Sequence, residues 1–249
     1  MKRPIATTLA AAVLASGVLT VSACVERAHP EAETTQESGW VMPPEIDAVA
    51  SSGRELIVRG QAAPLERVVV SGAGGLAYAV GADTEGRFEL RVPRPVQDTL
   101  FLVEARVGQA GFPAPYRLLI GADPSAPIAL LAIGAPTQRL DAGSGLGAVD
   151  TDGRAAFLSG RAAAGTEVVI EGSARRTVTA DAQGRWSLAG AGDGSTPIAV
   201  DGLAYAPSPG GATTPGILRR AGAGWSIAWS SPGGGDQATW FPDRPAMIR

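Results

Sequence analysis

Ala180-Asp181-Ala182-Gln183-Gly184-Arg185-Trp186-Ser187-Leu188 repeats, almost word for word, an earlier stretch, Ala82-Asp83-Thr84-Glu85-Gly86-Arg87-Phe88-Glu89-Leu90. Each reads as a turn entering a strand. Asp at the first turn position accepts from the backbone two residues on, and Gly at the fourth tolerates positive φ, so residues 83–86 and 181–184 predict type I hairpin turns. Upstream, Val58-Arg59-Gly60-Gln61-Ala62-Ala63 lines up with Leu158-Ser159-Gly160-Arg161-Ala162-Ala163 at an offset of 100 (160 against 60). Val68-Val69-Val70-Ser71-Gly72 matches Val168-Val169-Ile170-Glu171-Gly172 at the same offset. After a two-residue deletion the offset becomes 98 (184 against 86), and Leu100 and Leu102 fall on Ile198 and Val200. A period near one hundred is too long for a solenoid unit and suits one self-sufficient β-sandwich. The chain reads as a tandem duplication.

Composition supports many short strands. Charged residues make up 18% of the 249, below the roughly 25% usual for globular chains, while Gly 33 and Pro 19 supply turn formers. Lys2 and Arg3 belong to a leader; without these two positive charges the formal charge of −3 becomes −5. No basic field remains to attract a phosphate backbone, so nucleic acid is excluded as a partner.

The start of the chain carries the address. Residues 1–23 show a charged beginning, an apolar stretch from Leu9 to Val21 and small residues before a cut, which is the layout of a cleaved secretory signal. Val21-Ser22-Ala23-Cys24 resembles the bacterial lipobox, and that resemblance implies lipid attachment at Cys24, the sole cysteine. Several acyl chains, each burying CH₂ groups at about 0.8 kcal/mol apiece, hold a protein durably on a bilayer. Val25, where the enteric retention rule would have Asp, implies the outer membrane rather than the inner. Residues 24–45, rich in Glu, Thr and Pro, form a disordered tether, and the lone His29 lies in it.

From Ile46 onward short apolar or alternating runs are separated by Gly, Pro and Asp. Strands are expected at residues 55–59, 67–70, 76–80, 87–92, 100–104 and 116–120, with Pro93, Pro95, Pro113 and Pro115 between strands. In the second copy they are expected at 156–159, 167–170, 177–179, 185–188 and 197–200, followed by tail strands near 217–220, 225–229 and 238–241. The fold class is all-β: two antiparallel sandwiches, residues 46–140 and 154–249, joined by a linker at 141–153. The glycine, valine and turn pattern from Gly160 to Trp186 resembles the bacterial Ig-like domains, and is also similar to the transthyretin-like domains called carboxypeptidase regulatory-like. That resemblance implies a spacer or binding module without catalysis. The first copy departs from it, with Leu65 for Gly165 and Phe88 for Trp186, so a differently built turn is expected there.

Chemistry-bearing residues are few. With His29 in the tether, no nucleophilic Ser-His-Asp arrangement is available, and Cys24 with His29 is too small a supply for a zinc site. No cofactor or metal is expected. Gly143-Ser144-Gly145-Leu146-Gly147 lacks the Lys of a phosphate loop. Asp150-Thr151-Asp152-Gly153 resembles the opening of a calcium loop but lacks its downstream Glu and reads as a turn. Trp225, Ile227 and Trp229 share a strand face, with Trp240-Phe241 following; they are core or a flat platform for sugar rings. The expected function is a lipid-anchored envelope protein acting as a non-catalytic structural or adhesion module, with an envelope protein or glycan as partner. The alternatives are a carbohydrate or peptidoglycan binder using Trp225, Trp229 and Trp240, and a carboxylate-based hydrolase.

Overall fold

The computed structural model describes residues 41–132, 134–141, 143–211, 214–230 and 235–244. The leader, Val21-Ser22-Ala23-Cys24, His29 and the tether as far as residue 40 lie outside them. Trp40–Arg249 cluster as one compact unit, and the fold is all-β.

The first half supplies β1 (Glu45–Ser52), β2 (Glu55–Gln61), β3 (Arg67–Ser71), β4 (Ala77–Gly81), β5 (Arg87–Pro93), β6 (Thr99–Val107), β7 (Ala110–Ile120), β8 (Ile128–Ala132) and β9 (Gln138–Arg139). A three-stranded sheet, β1-β2-β5, faces a six-stranded one, β4-β3-β6-β7-β8-β9. In β5, Phe88, Leu90 and Val92 are buried while Arg87, Glu89 and Arg91 are exposed, the two-residue period that turns alternate side chains to opposite faces. The inward faces meet in one core that includes Ile46, Val58, Phe88, Phe101 and Leu118.

The second half supplies β10 (Gly145–Thr151), β11 (Ala155–Arg161), β12 (Glu167–Glu171), β13 (Arg175–Thr179), β14 (Arg185–Ala191), β15 (Ile198–Val200), β16 (Leu203–Tyr205), β17 (Arg219–Arg220), β18 (Gly224–Ser230) and β19 (Asp236–Pro242). Its sheets run β14-β11-β10-β19-β18-β17 and β13-β12-β15-β16, around a core built on Val149, Val168, Ile170, Trp186 and Trp240. Among the described residues, strand pairings stay within their own half.

The register is duplicated as well as the sequence. The β1/β2 ladder shifts between Ile46 and Ala48, and the β10/β11 ladder between Leu146 and Ala148. Gly60 pairs with Phe88, and Gly160 with Trp186. At each site a methyl in place of the glycine hydrogen would strike both the aromatic ring and a carbonyl oxygen of the neighbouring strand. Gly224, beneath Trp240, repeats the arrangement in the tail.

Several expectations are corrected. The stretch 141–153, read as a linker, contains β10, a central strand of its sheet. The turns at 83–86 and 181–184 close no hairpin; each carries the chain from one sheet to the other, from β4 to β5 and from β13 to β14. Their chemistry is as read: Asp83 accepts from Glu85 N at 3.0 Å and Arg87 N at 2.7 Å, and Asp181 from Gln183 and Arg185 at 2.9 and 2.8 Å. Pro93 is the last residue of β5, and Pro113 and Pro115 lie inside β7. Among the described residues β8 reaches only to the Tyr116–Ala132 pair, and on that side of β7 a missing N–H costs nothing.

The turn containing Leu65 is built like its counterpart, since Leu65 has φ 62° and Gly165 φ 73°. An L-residue there crowds its Cβ against the carbonyl, at about 1–2 kcal/mol, and Leu65 is 73% exposed, so burial does not compensate. Leu65→Gly is expected to raise stability by about 1 kcal/mol in urea unfolding; a loss would contradict this account.

Between the halves lies a third apolar cluster. The outer face of the six-stranded first-half sheet contributes Leu119, Ala129 and Leu131, with Ala126 beside them; the second half contributes Ala148, Leu218, Ile227, Trp229 and Phe241. Polar ties flank this seam. Asp98 accepts from Ala122 N at 3.0 Å and from Leu218 N at 2.9 Å. Asp141 pairs with Arg139 and with Arg244. The two halves are therefore four stacked β layers with three apolar interlayers.

Candidate functional site

The tryptophans do not make a platform. Trp229 is 2% exposed and Trp240 1%, on opposite faces of the paired β18 and β19: Trp229 enters the seam and Trp240 the second-half core. Trp225 is half-buried at the seam margin, with the Arg220 guanidinium 5.0 Å from its ring centroid. Aromatics that bury both faces of a hairpin act by the area they remove from water. The seam covers one face of the tail hairpin and the second-half core the other, so neither is left to display the rings of Trp229 and Trp240.

Beneath the seam lies a buried polar network. Asp150 on β10, 5% exposed, accepts from Thr137 N at 2.7 Å, Thr137 Oγ1 at 2.6 Å and Thr239 Oγ1 at 2.7 Å. Trp229 Nε1 donates to Thr239 Oγ1 at 3.1 Å, and Ser159 Oγ to the Thr137 carbonyl at 2.6 Å. Burial raises the Asp150 carboxyl above its ordinary range, against the opposing pull of the Thr137 and Thr239 donors. Asp150, read as the first residue of a turn that resembles a calcium-loop opening, lies instead within β10 and is committed to strand β19 and to the segment before β9. Asp152 is committed as well, accepting from Arg154 N and Ala155 N at 2.8 Å. Among the described residues no group of three or more His, Cys, Asp or Glu is placed to hold a metal ion. No sequence motif marks Thr137 and Thr239 as partners of Asp150; the one sequence signal is the charge itself, at the position where the first copy has Ala50.

A cleft of about 430 Å³ opens beside this network, lined by Thr137, Gln138, Arg139, Ser159, Arg161 and Arg185 among others. Two of its guanidinium groups are already engaged, Arg139 with Asp141 and Arg185 with Asp181. Asp181 is held below the usual carboxylate range, first by the Arg185 backbone N–H. The Thr137 and Ser159 hydroxyls already donate within the network and Asp181 is engaged by Arg185, so the lining meets a polar ligand with Gln138 and Arg161.

Next to this cleft, where Glu45 comes within 3.9 Å of Arg185, the entry of the chain into β1 is clamped. The buried Tyr116 hydroxyl donates to the Pro44 carbonyl at 2.7 Å and accepts from Ile46 N at 3.1 Å, and burial pushes its phenol well above the usual range. The residues that end the expected tether are therefore structured, bonded to a strand some 70 positions downstream.

These features define an all-β protein built of stacked sandwich layers, with its amino-terminal entry bonded into the body. No family model matches the chain, and no curated protein matches it. Among solved structures it is similar to a chain of the Ca²⁺-stabilized adhesin that helps an Antarctic bacterium reach out and bind ice. The two share 15% identity over 82% of this chain and 49% of that one, with a TM-score of 0.23. The chain thus spans about half of that protein's length.

Proposed function

We propose that this is a lipid-anchored cell-envelope protein, outer-membrane in location, that acts as a non-catalytic structural or adhesion module. The observation that carries the reading is the Tyr116 clamp at Pro44 and Ile46. A chain held by its front end transmits force into β1 at that point, and a buried, doubly bonded hydroxyl anchors the strand there. Supporting it, the seam joins the halves into one compact unit, a stiff body for a tether to display. Val21-Ser22-Ala23-Cys24 supplies the anchor. Burial of Trp229 and Trp240 argues against the glycan-platform alternative.

Mass spectrometry of the protein isolated from envelopes tests the anchor. The expected mature protein begins at Cys24 with the thioether lipid attached, and Cys24→Ala is expected to leave the membrane fraction. An unmodified Cys24 overturns the anchor. Photo-crosslinking in native envelopes tests the module: a protein or glycan adduct is expected, and its absence from every exposed face overturns that part.

A further inference from the structure

The two copies differ in what lies beside their first strand. On β10 the outer edge is covered: Val149 pairs with Trp240, Asp150 with Thr239 and Thr151 with Ala238 of β19. The equivalent strand β1 has the same bulge and the same register against β2, at an offset of 100. Among the described residues, nothing pairs with its other edge. We propose that this edge, at Val49, Ala50 and Ser51, accepts an extended strand from a partner polypeptide, in the way β10 accepts β19. The proposal rests on the interaction-module reading and supplies its mode of binding.

The geometry of the ladder says which groups are free. Ser52 pairs with Glu55 across a two-residue turn, and Ala50 with Ile57. In an antiparallel ladder the intervening residues, Val49 and Ser51, turn their N–H and C=O outward. Ala48 and Ser51 are exposed, and Val49 and Ala50 half-buried. Unpaired edges are usually blunted by charge, proline, shortness or cover. The chain uses these devices elsewhere: Arg87, Glu89, Arg91 and Pro93 on β5, Arg175 and Arg176 on β13, and edge strands of two or three residues at β9, β16 and β17. The β4 edge lies against β5, and β14 against β13. On β1, the charges Glu45 and Asp47 and the bulge guard only the beginning, whereas the run from Ala48 to Ser52 carries none of these. The occupant is a strand of uncharged, small or β-branched residues followed by an aromatic, the pattern Ala238-Thr239-Trp240 presents to β10, with main-chain bonds supplying the affinity.

The test uses the full-length protein and a capped synthetic peptide of the β19 sequence, Asp-Gln-Ala-Thr-Trp-Phe-Pro, with a scrambled peptide as control. Saturating peptide is expected to slow amide exchange at Val49 and Ser51 at least tenfold, leaving Ala50, already bonded to β2, unchanged. Ser51→Pro, which deletes one outward donor, and Ala50→Lys, which places a charge on the edge, are each expected to weaken peptide binding at least tenfold at an unchanged melting temperature. No protection at Val49 and Ser51, or protection elsewhere alone, overturns the edge site. Protection that rises with protein concentration without peptide overturns the partner-strand assignment in favour of self-pairing. These outcomes leave the interaction-module reading standing, because that reading falls only if native envelopes yield no crosslink from any face.

Discussion

Trp229→Ala is expected to lower stability by about 4 kcal/mol, the usual range for removing a buried Trp side chain. Trp229 sits at the centre of the seam, 2% exposed, among Leu119, Leu131, Ile227 and Phe241, and its Nε1 donates to Thr239. Truncation therefore loses apolar burial, opens a cavity between two layers that cannot close up independently, and removes a donor from the Asp150 network. Each half keeps its own core, so the seam is what makes them unfold together. Urea titration of the variant is expected to show two transitions where the parent shows one. Trp225→Ala, at the half-buried margin, is expected to cost about 1 kcal/mol, most of it lost packing against Arg220. A cost below about 1 kcal/mol for Trp229→Ala would mean that the seam does not bear on stability.

Asp150→Ala is expected to cost about 3 kcal/mol, because it leaves the buried Thr137 N–H without an acceptor and strands two hydroxyls. The sign of its pH dependence is set by burial. A carboxyl raised in the folded state holds its proton to a higher pH than the unfolded chain does. Between the unfolded value near 3.8 and the raised folded value, the native state binds more protons, so stability falls as pH climbs through that window. Asp83, Asp123, Asp152, Asp181, Asp193 and Asp243 shift the other way. Their contribution is present above pH 3.8 and is lost as pH falls through their lowered values. Subtracting the pH profile of Asp150→Asn from that of the parent isolates the Asp150 component. A difference that is flat, or that rises with pH, would show the carboxyl to be ionised at no cost.

Much of the fold was legible because the duplicated words are those that sheet geometry constrains. Gly60 and Gly160 mark where an aromatic ring crosses a strand, and the alternation of β5 names its inward face. Strands β1 and β10 were not legible. Glu-Ile-Asp-Ala-Val-Ala-Ser-Ser and Gly-Leu-Gly-Ala-Val-Asp-Thr have small and polar residues where strand propensity expects bulk, and their pairing partners determine their structure. The tryptophan face was read correctly as one face of a strand, but its burial depended on the tail hairpin joining the sheet beside β10 rather than lying at a free edge. Leu65 concealed a left-handed turn because a leucine gives no local sign of positive φ. The Asp150 network has no sequence spacing at all, since Thr137 and Thr239 come from opposite sides of β10 in the chain.

Completion of the second-half sheet by the carboxy-terminal hairpin dictates an order of assembly. A chain threaded out amino end first closes every ladder of its leading sandwich once Arg139 has emerged. The trailing sandwich waits for Pro242, the partner of Gly224. During that interval β10 offers the same bare flank that β1 has among the described residues, so the later half passes through a sticky stage until its last strand arrives.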